Sequence, residues 1–150
     1  MCILYGSAPG KWWLQAIGFG ITQIDNSKDS PTLEQFSSGM GITRRFQNAT
    51  NQDVSSTEEV FAIYNLNESA KKIIDSASSV LGKALAAFVD YLDPAKIVIG
   101  GGLWLGSEQY RSMVIKSYDE NASKRRKAPQ ILSSTIGKNA AVIGAAIAAK

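Results

Sequence analysis

Ala70, Ile73, Ile74, Ala77, Leu81, Ala84, Leu85, Phe88 and Leu92 recur at steps of three and four, and the run stops at Asp93-Pro94. That spacing predicts one amphipathic helix of about six turns beginning near Glu68. It ends there because the residue before a proline is driven out of helical space. KIVIG follows at once and reads as a short buried strand, and Gly100-Gly101-Gly102 closes it. Leu103 to about Ala122 reads as a further helix interrupted at Gly106. SKRRKAP is a charged connector, QILSSTI a strand, and KNAAVIGAAIAAK a small-residue helix with little polar face. Helix, strand, helix, strand, helix in that order predicts an α/β layer with mostly parallel strands.

The first half is less regular. MCILYG reads as a strand ending in a turn, and WWLQAIGFGITQID as one or two strands broken by Gly18 and Gly20. NSKDSP is a loop by composition. Thr32 is placed to cap a short helix over Leu33 to Phe36, with Gly39 and Gly41 interrupting it before a second helical segment to about Asn48. After the polar NATNQDVSST, Thr57 with Glu58 and Glu59 predicts the start of another short helix.

Composition removes several chemistries. The 150 residues contain no histidine and one cysteine, Cys2. A disulfide framework within the chain, a zinc site of Cys and His ligands, Ser-His-Asp triads and Cys-His pairs are all excluded. Acid–base work falls to carboxylates, lysines or tyrosines. A net charge of +3 is too mild to argue for nucleic acid. No apolar run reaches the roughly 18 residues that suggest a membrane span, and the N-terminus is a poor signal peptide, so the expected location is cytoplasmic.

The three glycines have two readings. In open α/β sheets ligands bind beyond the carboxyl ends of the strands, where a backbone without Cβ atoms can approach them. The same turn serves equally as a plain strand-to-helix connection. It is neither a Walker loop nor the usual dinucleotide fingerprint, whose spacings differ. Lys124 to Lys127 reads as a solvated connector, Asp90 and Asp93 as parts of a helix end, and one of Trp12 and Trp13 as core.

LGKALAAFVDYLDPAKIVIGGGL resembles the C-terminal lobe of the ROK family of bacterial sugar kinases and sugar-responsive repressors. STIGKNAAVIGAAIAA is similar to that family's closing strand and helix, LEQFSSG to its Leu-Glu…Ser-Gly segment, and VFAIYNLNESAKKII to the stretch before its long helix. The resemblance covers about residues 16 to 150, strong from Leu33 onward. It implies that the chain, 1–150, is one α/β domain. The implied fold is an actin-like ATPase (ribonuclease H-like) lobe with a mixed or parallel sheet and packed helices, in which residues 1–32 are poorly matched. It also implies that Gly100, Gly101, Gly102 and Leu103 lie against ATP, that Gly39 lies near the nucleotide cleft, and that Glu34 contacts sugar hydroxyls. The complete fold would use ATP with magnesium, take a hexose or N-acetylhexosamine, and form homo-oligomers.

The departures are equally specific. The family's Glu-x-Gly-His sugar segment aligns with Gly18-Phe19-Gly20-Ile21, and its Cys-rich zinc loop with NSKDSPT, so no zinc is expected. The family's phosphate loop and catalytic aspartate belong upstream of Met1. The expectation is therefore a C-terminal lobe that does not turn over in isolation, from a truncated or damaged frame, with no catalytic residue of its own. The alternative is the effector or dimerisation domain of a ROK-type repressor. No helix-turn-helix is legible, and no nucleic acid or membrane partner is expected for this chain.

Overall fold

The computed structural model describes residues 2–6, 12–15, 31–124 and 127–137. They form β1 (Cys2–Gly6), β2 (Trp12–Gln15), α1 (Leu33–Ser37), α2 (Gly39–Thr50), α3 (Thr57–Ala62), α4 (Glu68–Leu92), β3 (Pro94–Ile99), α5 (Gly102–Gly106), α6 (Glu108–Asn121) and β4 (Ile131–Ser133). The expectations for Gly18 to Ile21, Arg125, Arg126 and the small-residue helix over 138–150 lie outside the described residues.

The periodic run folds as its spacing predicts. Asn67 caps α4 by accepting from the Ala70 N–H at 3.0 Å, and the helix stops at Asp93. Asp93 does not take the extended form usual before proline. It sits in the left-handed region at φ 44° and caps the helix, its N–H donating to the Val89 carbonyl. Ala70, Ile73, Ile74, Ala77, Leu81, Ala84 and Leu85 are buried as expected. Toward the C-terminal end the buried face rotates onto Ala86 and Val89, leaving Phe88 half-buried and Leu92 exposed.

α6 lies on α4, with Tyr110, Val114, Ser117 and Tyr118 turned inward. The approach is closest at Gly82. A Cβ there would lie 2.5 Å from the Ser117 Cβ and 2.7 Å from the Val114 carbonyl oxygen, inside contact distance. Ser117 Oγ donates to the Ser79 carbonyl at 2.9 Å in the same seam. A glycine on one helix and a serine on the other therefore set the spacing between the two backbones.

α1 opens with a capping box: Thr32 Oγ1 accepts from the Gln35 N–H, and Gln35 Oε1 accepts from the Thr32 N–H. The interruption expected at Gly39 and Gly41 falls one residue earlier, at Ser38. Ser38 is extended (φ −77°, ψ 164°), and its Oγ accepts from the Gly41 N–H. Both glycines then belong to the first turn of α2. Arg45 clamps the bend: Nη1 donates to the Phe36 carbonyl, Nη2 to Ser76 Oγ on α4, and the guanidinium sits 3.5 Å from the centre of the Phe36 ring.

The described sheet is mixed, in the order β2-β1-β3-β4. β3 and β4 are parallel, Ile97 opposite Ile131 and Ile99 opposite Ser133. β1 is antiparallel to both β2 and β3. Mostly parallel strands are expected from the helix–strand alternation after residue 68. That alternation governs only β3 and β4; the N-terminal hairpin adds to the other edge of β3. Among the described residues, no helix is long and apolar enough to cross a membrane.

Gly82→Ala should force the α4–α6 seam apart and cost about 1–3 kcal/mol of stability. A lower urea midpoint at unchanged slope would register this, and an unchanged midpoint would refute the close approach.

Candidate functional site

β3 ends at Ile99, and the chain turns through Gly100 and Gly101 into α5. Gly101 has φ 114° and ψ 157°, a backbone region open essentially to glycine alone. Its carbonyl accepts from the Leu105 N–H at 3.0 Å, which starts α5. The far end of α5 is held by Arg111, whose Nη1 donates to the Trp104 carbonyl at 2.7 Å and the Leu105 carbonyl at 3.2 Å. Trp104 Nε1 donates to Ser133 Oγ at 3.0 Å and ties the turn to β4. A Cβ at Gly102 would meet nothing within 4 Å, so this side of the turn faces open space.

Opposite the turn stands the α1–α2 break. Between them lies a cavity of about 260 Å³. Glu34, Gly39, Gly100, Gly101, Gly102 and Leu103, every binding residue singled out from the sequence, line it together. Its floor is Leu33, Leu81, Ile99, Trp104 and Tyr110, with Ser37 and Ser38 beside the break. Ser38 is thus both a helix-initiating residue and a cavity residue. Asp90, Asp93, Tyr91, Lys124 and Lys127 stand outside it. Of Trp12 and Trp13, the register is described: they pair with Tyr5 and Leu4.

Sequence reasoning passes over Ser37, Trp104 and Tyr110. Tyr110 carries a usable signal, because Tyr110, Val114 and Tyr118 repeat at four-residue steps along α6. Nothing local to Ser37 marks it. Its Oγ donates to the Ala77 carbonyl at 2.9 Å, and its own carbonyl accepts from the Tyr110 hydroxyl at 2.6 Å.

Among the described residues, Glu34 is the single carboxylate lining the cavity, it is exposed, and no lysine or arginine joins it there. Among the described residues, no group of three or more His, Cys, Asp and Glu comes together to hold a metal. Apolar walls, a bare backbone edge and one carboxylate at the rim suit binding of a ligand with a flat apolar part and a polar end. The described lining residues do not assemble an acid–base pair. Burial pushes the Tyr110 phenol above its ordinary range and the Tyr118 phenol up to about 12, so both are neutral hydrogen-bond donors across ordinary pH.

Residues 29–150 match the model of the ROK family. The N-acetyl-D-glucosamine kinase of Yersinia enterocolitica serotype O:8 is 30% identical over 115 residues, which are 76% of this chain and 37% of that protein. The N-acetyl-D-glucosamine kinase of Histophilus somni is 25% identical over 114 residues, again 76% of this chain and 37% of that one. The crystal structure of the ROK hexokinase from Thermus thermophilus superimposes with a TM-score of 0.70 at 27% identity, over 78% of this chain and 40% of its own. The chain therefore spans well under half the length of these relatives.

Gly101→Ala should cost about 1–3 kcal/mol, because alanine resists the φ observed there, and should deform the cavity edge. Thermal unfolding of the variant checks this. An alkaline loss of stability is also expected. Unfolded tyrosine ionises near about 10, whereas folded Tyr118 keeps its proton to about 12. The stabilisation is complete below the unfolded value and drains away as pH rises through the folded one. Urea midpoints across that window should fall, and fall less in Tyr118→Phe.

Proposed function

The chain belongs to the ROK family, as a lobe of the actin-like ATPase fold, and from that premise we propose that it forms the nucleotide-binding wall of an ATP-dependent sugar kinase. The substrate class is a hexose or N-acetylhexosamine, as the names of the relatives suggest. The observation that carries this reading is the convergence of Glu34, Gly39 and Gly100 to Leu103 on one cavity.

Each group has a role suited to its chemistry. The bare backbone from Gly100 to Gly102 lets adenosine and phosphate approach without Cβ interference, and Leu103 adds an apolar contact. Glu34 accepts hydrogen bonds from sugar hydroxyls. In the complete reaction a sugar hydroxyl attacks the γ-phosphorus and ADP leaves. Such transfer depends on positioning and on charge stabilisation around the phosphoryl group. This cavity supplies positioning only. Among the described residues it brings no second carboxylate to take the hydroxyl proton and no cation for the phosphates. Among the described residues Glu34 would be the one carboxylate available to magnesium bound with ATP, too few for a site held by protein ligands alone.

On this reading the 150-residue chain binds ATP and does not transfer phosphate by itself. Self-association through the lobe belongs to the same proposal. A repressor effector domain would share the sugar contact without the transfer; the kinase reading is preferred because the relatives described above are kinases.

Gly102→Leu tests it. Open space at that Cβ leaves folding within about 0.5 kcal/mol while the side chain obstructs the cavity. ATP binding measured by calorimetry should weaken at least about tenfold. Equal binding by the variant removes the cavity as the nucleotide site. Sugar-dependent ADP production by the unaltered chain would overturn the claim that it cannot transfer phosphate.

A further inference from the structure

The Ser37 carbonyl has lost its helical partner. In an unbroken helix it would accept from the N–H four residues on, at Gly41. Ser38 breaks the helix, and its own Oγ takes the Gly41 N–H at 3.1 Å. The Tyr110 hydroxyl fills the vacant position, donating to the Ser37 carbonyl at 2.6 Å. Tyr110 is 2% exposed, and its ring meets Phe61 edge-on, with centroids 6.1 Å apart at 87°. A side chain from the first turn of α6 thus completes the hydrogen bonding of a break between α1 and α2.

The next residue grips the other wall. Arg111 donates to two carbonyls at the end of α5, the short helix that the glycine turn opens into. Tyr110 and Arg111, adjacent in sequence, therefore hold the two sides of the cavity: the α1–α2 break with Ser38 and Gly39, and the turn with Gly100 to Leu103. The Tyr110 ring is also part of the floor.

We propose that Tyr110 is a positioning residue for the nucleotide, its hydroxyl fixing the α1–α2 break at the distance from the glycine turn that the ligand requires. The proposal rests on the nucleotide reading of this cavity. Tyr110 acts through the Ser37 carbonyl and not on a reacting atom.

Tyr110→Phe keeps the ring and removes the hydroxyl. Tyr118→Phe is the matched control: Tyr118 lies on the same helix, is equally buried, and donates to the Pro129 carbonyl at 3.0 Å away from the cavity. Both variants lose one hydroxyl-to-carbonyl bond, buried at Tyr110 and part-buried at Tyr118, so Tyr110→Phe should lose at least as much stability. ATP affinity of the full 150-residue chain, measured by calorimetry below the unfolding range of each variant, should fall about tenfold in Tyr110→Phe only. The carbonyl carbon resonance of Ser37 should shift in that variant and stay in place in the control. Unchanged affinity in Tyr110→Phe, or an equal fall in both, overturns the proposal while leaving the nucleotide reading intact. No ATP binding by the unaltered chain sinks the nucleotide reading and this proposal with it. Should Tyr110→Phe fail to fold, Phe61→Leu leaves the hydroxyl but removes the ring that aims it. Weaker ATP binding by that variant supports the proposal, and unaltered binding refutes it.

Discussion

The contact of α4 with α6 at Gly82 and Ser117 governs the geometry of everything around it. Two helix backbones come together there because one position carries no side chain and the facing one carries a hydroxymethyl group. Ser117 Oγ then satisfies itself on the Ser79 carbonyl, so closeness creates no unpaired polar group. With α6 fixed on α4, its first turn has one place to be. Tyr110 reaches the Ser37 carbonyl, and Arg111 reaches the end of α5. Ser37 meanwhile donates to Ala77, back on α4. The hydrogen bonds form a loop that returns to the helix from which it started.

The cavity lies where regular structure stops: at the end of β3, at the start of α5, and between α1 and α2. Interruptions of this kind expose backbone groups that would otherwise be internally bonded. Several are met by specific side chains: Ser38 for the Gly41 N–H, Tyr110 for the Ser37 carbonyl, Arg111 for the carbonyls of Trp104 and Leu105; the start of α5 has no side-chain cap. Among the described residues, no buried side-chain nitrogen or oxygen lacks a partner. Bonds of this kind let interrupted backbone border a pocket at little cost to the fold.

What was legible in the sequence is what depends on near neighbours along the chain. The spacing of Ala70 to Leu85, the Asp93-Pro94 stop, the Thr32 cap and the strand before Gly100 are all local, and each appears where its residues indicate. Local rules also misplaced one boundary by a residue. Glycines at 39 and 41 attracted the break, while the serine beside them makes it, because its Oγ is a better cap than an absent side chain. The mixed sheet and the Tyr110–Ser37 bond join segments far apart in the chain, and no periodicity encodes such pairings. The bare strand end singles out Gly100 to Gly102, and the resemblance adds Glu34, Gly39 and Leu103; that they share one cavity is a property of the fold.

The pairing of β1 with β3 also sets an order of events. Cys2 is paired with Ile99 across the sheet, whereas β3 and β4 are joined through α5 and α6. Long loops close late, because their entropy is lost before distant contacts form. The β1–β2 hairpin is made before the strand it docks on, which follows α1 to α4 in the chain. Until then its inner edge presents unpaired backbone groups, open to pairing with another chain. The stretch between α4 and the glycine turn therefore ends a period of exposure for the nascent protein as well as building one wall of its pocket.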